Sequence, residues 1–286
     1  MSGLPPAAIA AAFLAACRAE LEAPKPGNVH AHAPGHGMTV ADFLSSAEAA
    51  APFIADPARG VGERVLGAVE ATRAACGQNT NLGILLLAAP LAAAAQGGGE
   101  LRLSLERVLA GLTVEDASLA YRAIRLASPG GLGRSDRHDV AAEPAVTLLE
   151  AMRSAAARDR IARQYATGFA DVLDLGVPRL LACRGRGWAE GWAVAATYLA
   201  FLARFPDTHV ARKHGEAAAE TVRRQAAELE WHLMAGEDPE ALLPTLLAFD
   251  EDLKRAALNP GTSADLTVAS WFAESLRSAA AKSRVP

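Results

Sequence analysis

Four short polar clusters interrupt an alanine-rich chain, and their residue types suit phosphate and sugar chemistry. Asp207-Thr208-His209-Val210-Ala211-Arg212-Lys213-His214-Gly215 packs one carboxylate, two imidazoles and two cations into nine residues. Arg212 offers phosphate a planar fork and Lys213 a compact point charge. Asp207 could hold a Mg2+ ion against phosphate oxygens. Asn259-Pro260-Gly261-Thr262-Ser263-Ala264-Asp265-Leu266 is a turn feeding a helix, with Thr262 or Ser263 as the N-cap and Asp265 in the first turn. A helix N-terminus carries free N–H groups and partial positive charge, which attract phosphate. Asn79-Thr80-Asn81-Leu82-Gly83 opens the most hydrophobic stretch. Two Asn flanking a Thr exceed what one cap needs, and Gly83 permits close approach of a ligand or another backbone. Pro24-Lys25-Pro26-Gly27-Asn28-Val29-His30 follows the first helix, with His32 and His36 just beyond.

Each cluster also has a plainer reading. Asp207 or Thr208 can simply cap a solvated helix, Asp265 can complement a helix dipole without a ligand, and one Asn of the 79–83 group is an ordinary cap. His30, His32 and His36 stand at i, i+2 and i+6 with no cysteine nearby, so a loop that closes over substrate is preferred there to a transition-metal site. Ser128–Gly133 is glycine-rich, but no strand precedes it, so it is no phosphate loop. Glu70, in mid-helix before the Asn79 cluster, faces either the same pocket or solvent. Four polar clusters beside apolar stretches need partners, and their spread along the chain predicts one polar pocket assembled from distant segments.

The elements that must position these clusters read as helices. Pro5-Pro6 opens a first helix to about Glu22, which Pro24 and Pro26 stop. Further helices are expected over 40–54, 61–76 (ending at Gly77), 82–95, 114–126 behind a Thr113/Asp116 capping box, 143–156, 158–173, 177–184 and 188–204. The last third reads as two long amphipathic helices and a final one. Val222, Ala226, Leu229 and Leu233 mark a face in 214–234, and Leu266, Ala269, Ala273, Leu276 and Ala280 another in 263–281. No stretch alternates with period two for long enough to be a strand. The fold expected is all-α, a single globular multi-helix bundle spanning 1–286 as one domain.

Bulk properties narrow the function. The chain has 286 residues, 51% of them hydrophobic and 5% aromatic, so helix packing relies on Ala, Leu and Val. A net charge of −4 gives no basic surface for nucleic acid. Cys17, Cys76 and Cys183 lie far apart without metal-ligand spacing and read as reduced thiols. The longest apolar run, Leu82 to Ala95, falls short of the roughly 20 residues a membrane span needs. The N-terminal stretch lacks a basic region ahead of its apolar residues, so the expected location is the cytoplasm, away from membranes. Alanine-rich helix faces serve a homodimer as readily as a monomer core.

Together the clusters resemble the triphosphoribosyl-dephospho-CoA synthase family. The family's PKPG loop, NT-x-x-G helix start, DTN-x-x-x-R-x-G segment and SPGGSADL turn appear here as PKPG (24–27), NTNLG (79–83), DTHVARKHG (207–215) and NPGTSADL (259–266), in order and at matching rough spacing over nearly the whole chain. The resemblance implies an all-α enzyme that uses ATP as a substrate with Mg2+. A hydroxyl of 3′-dephospho-CoA attacks C1′ of ATP, adenine leaves, and the triphosphoribosyl group is transferred. Such glycosyl transfer passes through an oxocarbenium-like state that a nearby carboxylate stabilises. Carried onto this sequence, Asp207, His209 and Asp265 are the expected catalytic residues, His209 giving a proton to the leaving base. Lys25, Asn28, His30, His36, Asn79, Thr80, Asn81, Gly83, Arg212, Lys213, His214 and Ser263 are expected to bind the substrates. Asp207, Asp265 and Glu70 are the expected metal ligands.

The chain departs from the citrate-lyase type, which reads PKPGLVD, H-x-D-M and NTHKG. Here the segments are PKPGNVH, His36-Gly37-Met38 and NTNLG, so two acids and one Lys are missing. It is more similar to a branch found in methanogens and methylotrophs, with KPGNVH, TNTNLGI, PGGLG and IARQY segments. That branch implies a second candidate acceptor, the arylribitol intermediate of tetrahydromethanopterin synthesis. The missing acids and Lys motivate a third reading, a helical nucleotide-binding protein without turnover.

Overall fold

The structure is a computed structural model that describes residues 3–31, 33, 37–236 and 238–282. Among these residues fourteen α-helices follow one another: α1 (Pro6–Glu22), α2 (Val40–Ile54), α3 (Val61–Cys76), α4 (Leu82–Gly97), α5 (Leu101–Ala110), α6 (Val114–Ala127), α7 (Leu148–Ala155), α8 (Arg160–Ala166), α9 (Val177–Gly185), α10 (Glu190–Arg204), α11 (Thr208–His214), α12 (Glu216–Ala235), α13 (Leu243–Arg255) and α14 (Gly261–Lys282). A π-helical turn, Asp171–Gly176, runs into α9, and a 3-10 turn, Pro239–Leu242, precedes α13. No strand occurs among the described residues, so the all-α expectation holds. Two compact units are present. The first comprises Met1–Ala15, Asp42–Ala170 and Phe272–Pro286, the second Ala16–Ala41 and Asp171–Trp271.

In the first unit α4 is the central helix, with Leu85, Leu87 and Leu91 wholly buried and α3, α5, α6 and α8 against it. Its interior Pro90 has no N–H, so the Leu86 carbonyl loses its helical partner. The Tyr165 hydroxyl, from α8, donates to that carbonyl at 2.6 Å. Helix α6 starts as expected: Thr113 Oγ1 accepts the Asp116 N–H at 3.1 Å, and the Thr113 N–H donates to Asp116 Oδ2 at 2.9 Å. Asp116 Oδ1 also accepts the Gly62 N–H at 2.8 Å. A Cβ on Gly62 would lie 2.7 Å from Asp116 Cα, so glycine is what lets α3 and α6 pack this closely.

In the second unit α10 is central. Trp192, Tyr198, Leu199 and Leu202 are buried, and α9 and α12 pack on it. The expected α12 stripe of Val222, Ala226, Leu229 and Leu233 faces inward, and Leu246, Phe249 and Leu253 of α13 join the same core. Gly176, at the end of the π-helical turn, abuts Ser270 and Phe201, and a Cβ there would collide with both.

Three expectations need correction. The helix expected over 143–156 begins only at Leu148, behind a Thr147/Glu150 capping box. The helix expected over 158–173 ends at Ala166, because Gly168 and Phe169 both take positive φ, +63° and +62°. The chain then resumes as the π-helical turn. Residues 208–214 form a helix of their own, and 243–255 form another before α14. No single helix among the described residues is long and apolar enough to cross a membrane. Helices α4 and α5 reach that length only together, across a bend of 114°.

Candidate functional site

Three of the four clusters lie in the second unit, and one buried carboxylate ties two of them together. Asp207 ends an extended segment and caps α11: its Oδ1 accepts the N–H groups of His209 at 2.9 Å and Val210 at 3.2 Å. Its Oδ2 accepts both the N–H and the hydroxyl of Ser263, each at 2.8 Å. One side chain therefore terminates two helices, α11 and α14. Thr262 adds to the junction, its hydroxyl accepting the His209 N–H at 3.2 Å and lying 3.1 Å from Thr208 Oγ1. Burial pushes the Asp207 carboxyl up, with the Ser263, Val210 and His209 donors pulling it down. Gly261 leaves space for the His209 imidazole, since a Cβ there would sit 2.6 Å from Nδ1.

The PKPG turn packs against the same region. Gly27 has φ +79°, and a Cβ on it would lie 2.8 Å from Pro260 Cδ and 2.9 Å from the Leu258 carbonyl. Only glycine accepts both that backbone and that contact. Asn28 Nδ2 donates to Asn259 Oδ1 at 2.9 Å, and the Tyr198 hydroxyl donates to the Pro26 carbonyl at 2.6 Å. Asp250, 2% exposed, accepts the Gly27 N–H and the Lys254 ammonium, each at 2.8 Å, and lies 3.3 Å from His30 Nε2. Lys254 also donates to the Ala33 carbonyl at 3.2 Å. Burial would raise the Asp250 carboxyl, but His30, Lys254 and the Gly27 amide hold it below the usual carboxylate range. Burial lowers the His30 pKa, Asp250 opposes this, and Lys254 and Lys25 add to it.

Lys25 is fully buried. Its ammonium donates to the Glu20 carboxylate, to Asn28 Oδ1 at 3.1 Å and to the Val29 carbonyl at 2.8 Å. An ammonium has three protons, so all have protein acceptors. Lys25, expected as a phosphate ligand, is instead the internal cation that shapes the loop. Residues 23–30 are all buried, so this segment is a fixed part of the unit and does not act as a loop closing over substrate. His36 and His32 fall outside the described residues.

Several of the expected site residues in this unit are at least partly accessible. Arg212 is half-buried, and Lys213 and His214 are exposed at the end of α11. Asp265, half-buried one turn into α14, lies close enough to Lys25 for its charge to favour the ammonium.

The 79–83 cluster belongs to the first unit. Asn79 Oδ1 accepts the Leu82 N–H at 3.2 Å and so begins α4. Thr80 Oγ1 donates to Ser46 Oγ at 2.6 Å, and Ser46 Oγ lies 3.2 Å from Cys76 Sγ. Asn81 is 5% exposed and its side chain does not cap the helix. Gly83 is half-buried in the first helical turn. Glu70 is exposed on α3.

Among the described residues, no group of three or more His, Cys, Asp or Glu is disposed to hold a metal ion. Both Asp207 oxygens already accept two donors each. The residues expected as metal ligands therefore do not fit a protein-only metal cage. Sequence reasoning passed over Glu20, Tyr198, Asp250 and Lys254. Asp250 and Lys254 are an i, i+4 pair, the pattern of an exposed helix face. Their only distinguishing signal is an apolar stripe through Leu246, Phe249 and Leu253 that turns Asp250 inward.

A crystal structure from Archaeoglobus fulgidus, provisionally named a triphosphoribosyl-dephospho-CoA synthase, superimposes with a TM-score of 0.63 at 28% identity, covering 81% of this chain and 97% of that one. Two curated relatives from Vibrio cholerae serotype O1, strains M66-2 and ATCC 39315, are provisionally named 2-(5''-triphosphoribosyl)-3'-dephosphocoenzyme-A synthase. Each is 31% identical over 125 residues, which is 41% of this chain and 39% of the relative's length. The chain thus matches well under half of these curated relatives. Residues 6–284 match the model of the CitG family, ATP:dephospho-CoA triphosphoribosyl transferase, and the chain belongs to that family.

Proposed function

We propose that the protein transfers the triphosphoribosyl group of ATP to a hydroxyl of 3′-dephospho-CoA. The N9–C1′ bond of ATP breaks with its electron pair going to adenine, a C1′–O bond forms to the acceptor, and the hydroxyl proton is ultimately carried off on adenine. The observation that carries this reading is the family match over 6–284, which takes in all four polar clusters.

In this reading Arg212, Lys213 and His214 bind phosphates, because they are the cationic groups of the DTHVARKHG segment left at least partly accessible. Asp265 is the carboxylate that stabilises positive charge on the ribosyl carbon, half-buried in the first turn of α14 beside the Asp207 junction. His209 donates a proton to the departing base. Asp207 and Ser263 position these groups by fixing the starts of α11 and α14. Mg2+ enters as the counter-ion of the triphosphate rather than in a protein cage, in keeping with its usual reliance on substrate phosphates.

The test is chromatography of adenine released from ATP and Mg2+, with and without 3′-dephospho-CoA. Adenine formed only with the acceptor is the expected result. ATP bound without adenine release under either condition counts against the reaction. Of two points of departure from the citrate-lyase type, Asn28 is hydrogen-bonded to Asn259, and His30 Nε2 lies 3.3 Å from Asp250. The arylribitol, the acceptor that the resemblance to the methanogen and methylotroph branch implies, is to be tried in the same assay.

A further inference from the structure

Lys25, Asn28 and Asn259, all of the second unit, form a relay whose direction is set at its buried end. The Lys25 ammonium is fully buried and has only hydrogens to offer, so the Asn28 atom 3.1 Å from it is the acceptor oxygen. Asn28, 6% exposed, is thereby turned with Nδ2 away from Lys25, and that nitrogen donates to Asn259 Oδ1 at 2.9 Å. A donor at that point requires an oxygen on Asn259, so the second amide is oriented in its turn. An isolated carboxamide flips with little change of shape, but these two are held by the cation behind them. The Asn259 NH2 group is the outward end of the relay. Asn259 is half-buried, and its Nδ2 has no acceptor among the described residues. Most backbone donors beside it are already spent. Pro260 has no N–H, the Gly261 N–H donates to the Asn259 carbonyl at 2.8 Å, and the Ser263 N–H donates to Asp207 at 2.8 Å.

A group that only donates is the complement of a group that only accepts. Ionised phosphate oxygens carry no hydrogen, and a hydrogen bond to such an oxygen is stronger than one between neutral groups. We propose that Asn259 Nδ2 binds a phosphate oxygen of substrate, the chemistry shared by the triphosphate of ATP and the diphosphate of 3′-dephospho-CoA. The assignment rests on the proposed transfer reaction. It adds a neutral, fixed donor to the cations Arg212, Lys213 and His214 of the same unit. Lys25 is close enough to Asp265 for their charges to attract, which offsets the repulsion that this carboxylate exerts on an incoming phosphate. Asn28 is then a positioning residue, touching no substrate and acting through Asn259.

The closing experiment measures binding to the full-length protein by calorimetry, using inorganic triphosphate, ATP, adenosine and 3′-dephospho-CoA separately, all with Mg2+. Asn259→Ala should weaken at least one phosphate ligand about tenfold, the worth of one hydrogen bond to a charged group. Asn259→Asp keeps an acceptor for Asn28 but turns a carboxylate oxygen outward, so it should weaken the same ligand further than Asn259→Ala does. Adenosine should bind the variants and the unmodified protein alike. Asn28→Leu frees the Asn259 amide to flip and should cost part of the Asn259→Ala loss, and nothing more once residue 259 is alanine. Joint weakening of triphosphate and ATP places the contact on the donor's phosphates, and weakening of dephospho-CoA alone places it on the acceptor's. Affinities for every phosphate ligand within about twofold of the unmodified protein in both Asn259 variants overturn the proposal. Equal losses in Asn259→Ala and Asn259→Asp, or an equal loss for adenosine, overturn it too, since a distorted turn would produce them. A further arm needs no variant to fold: the Asn259 side-chain amide signal in 15N NMR of the unmodified protein should move with a phosphate ligand and stay in place with adenosine. A signal that moves with none of the phosphate ligands overturns the proposal. Asn259-dependent phosphate binding without adenine release in the turnover assay would leave the contact standing while the transfer reaction falls. Adenine release with unchanged affinities in both Asn259 variants would do the reverse.

Discussion

Lys25 and Glu20 form a wholly buried ion pair whose remaining ammonium protons go to Asn28 and Val29. Burial alone drives each partner toward neutrality, lowering the Lys25 pKa and raising that of Glu20, and their mutual attraction opposes both shifts. Removing one partner leaves an uncompensated charge, at a cost of about 3–5 kcal/mol, whereas removing both is far milder. Lys25→Met should therefore be destabilised by that amount in chemical denaturation, and the Glu20→Leu, Lys25→Met double variant should recover most of it. A loss within about 0.5 kcal/mol for the single variant, the size of an ordinary surface change, would show that Lys25 is not the internal cation described here. His30 offers a pH test in the same corner. Burial holds its pKa below the ordinary value, so the unfolded chain binds that proton more tightly. The stability contributed by neutral His30 is full above about pH 6.5, its unfolded pKa, and is lost as pH falls from there toward the folded pKa. Asp250 is held below the usual carboxylate range and stays charged through that window. Melting temperature should decline below about pH 6.5, and His30→Asn should flatten the decline. An unchanged slope in the variant would assign the titration to another group.

At the scale of elements, α4 and α8 are joined by a polar contact that the sequence makes necessary. Pro90 strips the Leu86 carbonyl of its helical donor, and Tyr165 replaces it. Tyr165→Phe should leave that carbonyl unsatisfied and cost about 1–3 kcal/mol. Pro90→Ala restores a backbone N–H, so adding it to Tyr165→Phe should return part of the loss. A double variant no better than the single would mean that the Leu86 carbonyl is not the group affected. The same region shows what was readable beforehand. Helix ends marked by proline, glycine or a capping box fall where expected: α2 at 40–54, α3 at 61–76 with Gly77 at φ +73°, and α6 behind Thr113. The break at Gly168 and Phe169 was not legible, because nothing in Phe169 itself asks for a positive φ. Its cause is tertiary, a fully buried ring beside Tyr165. Asp250 and Glu20 were hidden for a related reason. A charged residue on a helix looks solvated until its partner, 223 positions away for the Asp250–Gly27 bond, is known. The clusters themselves stood out, since several polar side chains at a helix start exceed the needs of capping. Which of their members face inward as structure, as Lys25 and Asp207 do, depended on long-range packing.

At the scale of the whole molecule, the second unit gathers residues 24–30, 207–215 and 250–266 into one region whose buried acids and buried ammonium have protein partners. Asp207 has four donors, Asp250 has two and a histidine, and Lys25 has three acceptors. The first unit adds no cluster of metal-ligating side chains among the described residues. For a fold assembled this way no contribution of a bound ion to stability is expected, unlike domains whose ligands are ordered only by metal. EDTA should therefore leave the melting temperature of the ligand-free protein unchanged. Mg2+ should matter only once a triphosphate is present. ATP at a hundred times its dissociation constant stabilises by about 2.7 kcal/mol, and EDTA should shrink that shift by weakening ATP binding. Scanning calorimetry over four conditions, with and without ATP and with Mg2+ or EDTA, separates the cases. If EDTA lowers the melting temperature without ATP, a resident metal contributes to the fold, and the assignment of Mg2+ to the substrate fails. If the ATP shift is the same with Mg2+ and EDTA, the phosphates are held by side chains alone, and Arg212→Ala with Lys213→Ala should then abolish it.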